Sequence, residues 1–100
     1  MQADVEAARR FFNMALAAPD DLAVQVTYLD LERNLTIRTV SPIRYLTRSR
    51  LLVYCLGREE PRSLYLQRCL KVQLRHVADV LAPEKIGEFI RGREKANGDF

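Results

Sequence analysis

Two periodicities divide the chain, and they restrict its fold more than any other feature. From Leu22 to His76, apolar residues recur at every second position in short runs separated by turn residues. On either side they recur at every third or fourth position. The first spacing puts alternate side chains on one face of a strand, and the second makes a stripe along a helix. One hundred residues leave room for a single domain, residues 1–100. The expected fold class is α+β, mainly β: a small five-stranded antiparallel barrel or strongly bent sheet with an N-terminal and a C-terminal helix. The helices would cover an open edge or one end, or dock onto a partner.

Within residues 3–18, Val5, Ala8, Phe11, Phe12, Ala15 and Leu16 form one apolar stripe. Asp4 is placed to cap its start, and Pro19 with the acids after it ends the helix. "LAVQVTYLD" alternates as a half-buried strand, and "LERN" is a polar turn in which Asn34 is expected to be left-handed. "LTIRTVS" returns antiparallel to the first strand. Pro42 lacks a backbone donor and is expected to end this strand or mark an edge. "RLLVYCLG" is apolar on both faces and reads as a central strand. "PRSLYLQRCLKVQL" reads as two strands with a break near Gln67. Pro83 opens a helix over 83–96, with Ile86, Phe89 and Ile90 as its apolar face and Gly87 and Gly92 weakening it.

Composition narrows the function classes. No apolar run is long enough to span a membrane, and the N-terminus lacks a signal-peptide pattern, so a soluble, cytoplasmic protein without a membrane partner is expected. Cys55 and Cys69 fall inside strands, as buried thiols do, and with His76 they make no metal spacing. Ser41, Ser49 and Ser63 lack a nucleophile motif, and the four glycines form no phosphate loop. No cofactor, metal or catalytic residue is assigned, and an enzyme is not expected.

The charge is uneven. Residues 33–76 carry ten basic residues, nine of them arginine, against Glu59 and Glu60 alone. Arginine presents a planar fork of donors suited to phosphate or carboxylate. Basic side chains at the outer face of a sheet often do no more than solvate it; an anion-binding surface is the sharper reading.

Arg62 and Arg68 raise a specific problem. Both fall in phase with Leu64, Leu66, Leu70, Val72 and Leu74, on the side that should face the core. Burying an unpaired guanidinium costs several kcal/mol. Either the strand breaks near Gln67, or the arginines pair with acids such as Glu59, Asp30 or Asp79, or they line a shallow phosphate pocket. Six residues of straight strand would separate them by roughly 20 Å, so a shared compact ligand requires a bend.

Residues 22–76 resemble a WYL domain, a bacterial Sm-like β-barrel. "VQVTYLD" supplies Tyr28, "TIRTVSPIRYL" supplies Arg38 and Pro42, and "PRSLYLQRCLKVQL" supplies Arg62 and Arg68. Arg50, Leu51 and Leu52 stand at the signature tripeptide, and Gln67 and Cys69 replace an aspartate and an isoleucine of the pattern. The usual upstream helix-turn-helix region is expected to be missing, since one N-terminal helix cannot make one. The resemblance implies a divergent, solitary regulatory domain that senses single-stranded DNA, RNA or a nucleotide, often dimeric, in transcription regulation or phage defence. Carried over, the ligand-binding candidates are Tyr28, Arg38, Arg62 and Arg68, with Arg44 added by proximity in sequence.

Tyr28, Tyr45, Tyr54 and Tyr65 are the aromatic rings on which bases would stack, and some of them belong to the core instead. The competing class is a protein-interaction or dimerisation module. It would act through the barrel edge or the terminal helices, with Phe11, Phe12 and Phe89 as anchors.

Overall fold

The computed structural model describes residues 3–99. The order is α1 (Val5–Ala17), β1 (Leu22–Leu29), β2 (Leu35–Thr47), β3 (Arg50–Cys55), β4 (Glu60–Tyr65), a 3-10 turn (Leu66–Arg68), β5 (Cys69–His76), α2 (Val77–Val80) and α3 (Pro83–Asp99). The class is α+β with mainly strands, as the periodicities require. Asp4 caps α1 by accepting from the Ala7 N–H at 3.0 Å.

The five strands are all antiparallel, in the order β4-β3-β2-β1-β5. The expected barrel is not closed. β4 and β5 are the two edges, and instead of pairing they are joined through the 3-10 turn, whose Leu66 is buried. A side-chain bond crosses between β1 and β4: the Tyr65 N–H donates to the Tyr28 hydroxyl at 3.0 Å.

Directly paired residues share a face, which sorts the sheet into two sides. One face carries Val24, Val26, Tyr28, Val40, Leu51, Val53 and Leu64, packed against Ala8, Phe12 and Ala15 of α1. The other carries Ala23 and Tyr54 under Val77 of α2 and Phe89 and Ala96 of α3. β3 is sandwiched between these cores, which accounts for a strand apolar on both faces. Gly92 permits the α3 contact, because a Cβ there would stand 2.5 Å from the Tyr54 hydroxyl. The helices therefore close this chain's own sheet. Phe12 and Phe89, expected as possible partner anchors, are spent inside it.

One local expectation is narrowed and one corrected. Pro42 does not end β2, which runs through it to Thr47; it marks a local edge, where β2 is paired with β3 alone. The Leu56 N–H donates to the Thr39 carbonyl at 3.0 Å, so Val40 and Cys55 are a non-hydrogen-bonded pair. By alternation Pro42 and Val53 are another, and β3 asks Pro42 for no donor. Pairing with β1 has already ended at Val40. In the β1–β2 turn, Arg33 rather than Asn34 is left-handed, with φ 69°. The Asp30 carboxylate accepts from the N–H groups of Glu32 and Asn34 at 2.9 and 2.8 Å, which shapes the turn so that the left-handed step falls one residue earlier.

Candidate anion-binding site

Arg38 and Arg62 project from the face that α1 packs against. Arg38 pairs with Val26 and Arg62 with Val53, both fully buried core residues. Yet each arginine sits beyond the part of the face that α1 covers, so its head reaches solvent. Together with Tyr28, Arg50, Ser63 and Tyr65 they line a shallow depression of about 490 Å³.

The Arg38 Nε donates to Thr36 Oγ1 at 3.2 Å. Nε and Nη2 of Arg50 both donate to Ser63 Oγ at 3.2 Å, and its guanidinium lies 5.6 Å from the centre of the Tyr65 ring. Arg62 reaches Glu60 at 3.5 Å, with both side chains substantially exposed. Such a pair contributes little and dissociates readily. Hydroxyl groups thus orient two of the three guanidiniums and leave their charge uncompensated. Tyr65 is 37% exposed. Burial pushes the Tyr28 phenol up, while the Tyr65 N–H that it accepts opposes the shift, so the ring is neutral near pH 7. Asp30 and Glu32 lie at one rim, and Asp30 is already engaged by the two turn N–H groups. An anion is thereby directed toward the β3–β4 side.

The structure separates the other two candidates from this group. The 3-10 turn supplies the break expected near Gln67. Within it, Arg68 donates to the carbonyls of Leu29 and Asp30 at 3.1 and 3.0 Å, pinning the end of β1. The two arginines of the apolar pattern thus have different fates: Arg68 satisfies backbone carbonyls, and Arg62 lines the depression. Glu59 and Asp79 pair with neither. Arg44 is in phase with Arg38 by simple counting. The register slips by one residue at Ile43, however, and Arg44 comes to lie opposite Leu52 with its Nε on Asn97 of α3 at 3.1 Å. It therefore leaves the α1 face that carries Arg38 and Arg62, and its head is held against α3 outside the depression.

Arg50 and Tyr65 complete the site. They pair across β3 and β4 on the face opposite Leu51 and Leu64, and border the depression from that side, a placement that depends on hairpin register. Among the remaining groups, Ser41 is fully buried, and its hydroxyl is without a partner among the described residues. Both cysteines are free and buried. Among the described residues, no cluster of three or more metal-binding side chains occurs, and no helix is long and apolar enough to cross a membrane. No protein-family model matches the chain, and a search of curated proteins finds no match.

Proposed function

We propose that the chain is a regulatory module that binds single-stranded nucleic acid or a nucleotide in the Arg38–Arg50–Arg62 depression. The observation that carries this reading is the convergence of three guanidiniums, two of them oriented only by hydroxyl groups, beside an exposed tyrosine ring. Guanidinium forks suit phosphate oxygens, and a tyrosine offers a stacking surface to any base. The depression is shallow and open, which suits a flexible strand better than an enclosed metabolite. Tyr28, Arg38 and Arg62 also belong to the resemblance with WYL domains. That likeness supports a cytoplasmic sensing role in transcription or phage defence.

The test is fluorescence anisotropy with labelled DNA and RNA strands of about ten nucleotides, within the range one small fold covers. Three phosphate contacts should give a slope of log affinity against log salt of about −2. The combined Arg38→Ala, Arg50→Ala and Arg62→Ala variant should lose binding while remaining folded. Arg44→Ala, whose head is held by Asn97 of α3 and does not line the depression, should bind as the wild type does. If Arg44→Ala weakens binding as much as the triple variant, the association is diffuse and the site is wrong.

A further inference from the structure

A second surface lies beside β2. This strand is long and pairs with β1 over Leu35–Val40, but β3 begins to pair with it only at Val40. β3 ends at Cys55, and the chain turns away through Glu59, which has φ 55° and donates its N–H to the Cys55 carbonyl at 2.8 Å. The segment Leu35–Thr39 is therefore paired on one side and bare on the other, in mid-sheet.

Bond parity identifies the bare groups. The Asp30 N–H donates to the Asn34 carbonyl at 3.0 Å, so even-numbered residues of β2 direct their backbone groups toward β1. Leu35, Ile37 and Thr39 direct theirs the other way. The Thr39 carbonyl accepts from Leu56, while the N–H and carbonyl of Ile37 meet no protein partner among the described residues. Alongside them runs a notch of about 690 Å³, lined by Ile37, Arg38, Leu56, Arg58, Val80 and Leu81. Ile37 is 70% exposed.

We infer that this notch is a strand-addition site for an extended segment of a partner protein in which acidic and apolar residues alternate. An added strand would complete the backbone ladder at Ile37. Its side chains would fall alternately beside Arg38 on one face and beside Ile37 on the other. Among the described residues, neither Arg38 nor Arg58 pairs with a carboxylate. That leaves two positive charges for acids to meet. A second copy of the chain fits less well, since its edge strand β5 would bring Lys71 and Arg75 toward the same arginines.

The probe is a labelled peptide of about six residues alternating glutamate and valine, sized to the bare segment at ~3.3 Å per residue. Ile37→Pro removes the free donor and no ladder bond, because that N–H points away from β1. It should weaken the peptide about tenfold or more, the scale of a lost backbone bond and a steric block, and leave oligonucleotide binding intact. Arg58→Glu, an exposed change, is an independent check: it should weaken the glutamate–valine peptide and admit a lysine–valine one. The inference is overturned if the wild type shows no saturable binding of the glutamate–valine peptide, or if both variants bind it as tightly as the wild type. A concentration-dependent dimer abolished by Ile37→Pro would also overturn it, in favour of a second copy as occupant.

Discussion

One face of the sheet has a covered part and an uncovered part, and they are treated in opposite ways. Val24, Val40, Leu51 and Val53 lie under α1 and are fully buried. On the same face, as the strand partners of Val26 and Val53, stand Arg38 and Arg62, which with Tyr28 line the depression. The difference follows from length. A helix of 13 residues extends only about 20 Å. α1 closes what it can reach, and the residues beyond must tolerate water. Arginine does so: its stem packs along the apolar sheet while its head remains solvated. A pattern that looks like charge in a core is thus a core face extending past its lid.

The covered part should be costly to disturb. Phe12 is fully buried between α1 and the sheet. Phe12→Ala should lose about 3–5 kcal/mol, through lost transfer energy and the cavity left behind. That is a large share of what a domain this small has available. Urea unfolding should show a much lower midpoint or no folded state at all. A loss under about 1 kcal/mol would mean that α1 is not the lid, since buried aromatic truncations do not cost so little.

The opposite face has a lid of its own, with a different dependence. α3 approaches because Gly92 lies against the Tyr54 hydroxyl. Gly92→Ala should destabilise by about 1–3 kcal/mol through overpacking, although alanine is the better helix former. Tyr54→Phe removes the nearest atom and should recover part of that loss, so the two changes should be non-additive in a double-mutant cycle. Additive effects would show that α3 does not depend on this approach.

Cys69 is buried on the face that α1 packs against, paired with Tyr28. Burial pushes its thiol from 9.0 up to about 12. In the unfolded chain the thiol ionises near pH 9 while the native thiol stays protonated. Stability is therefore fully present below about pH 9 and falls as pH rises toward 12, by at most about 1.4 kcal/mol per unit. The raised phenols of Tyr28, Tyr45 and Tyr54 act in the same direction from about pH 10. Between pH 8.5 and 10, Cys69→Ala should therefore flatten the decline in the urea midpoint. An unchanged slope would place the thiol in contact with water.

Local signals made most of the fold legible. The cap at Asp4, the alternation in β1 and the break at Gln67 each lie within a few residues of their cause. What escaped depends on register or on distant neighbours. Pro42 is tolerated because β1 pairing has stopped by the time the chain reaches it, a fact about two strands. Arg44 changes face through a single slipped residue, which alternation in one sequence cannot register. Arg50 joins the site only because it faces Tyr65 on the next strand. Tyr28, Arg38 and Arg62 could be read from residue type and phase; Arg68 reads the same way, but it lies in the 3-10 turn and is directed to backbone carbonyls. Whether the sheet closes into a barrel or stays open and bent was not legible. Strand count and turn length permit closure without requiring the two edges to meet.

The smallest expected effect on stability is the sharpest test of the comparison. Arg38 shares a face with Val26 but lies in the uncovered part, and among the described residues its side chain hydrogen-bonds to Thr36 alone. Arg38→Leu keeps an apolar stem of similar reach and removes the charge. If the head is solvated, stability should change by no more than about 0.5 kcal/mol, as for other surface changes. Oligonucleotide affinity should nonetheless fall, and its salt slope should shrink by about 0.7, the share of one phosphate contact on a single strand. A stability loss comparable to that of Phe12→Ala would mean that the arginine holds the fold together. If stability and the salt slope were both unchanged, Arg38 would be neither lid nor ligand contact. The division of this face would then be one of solvation alone.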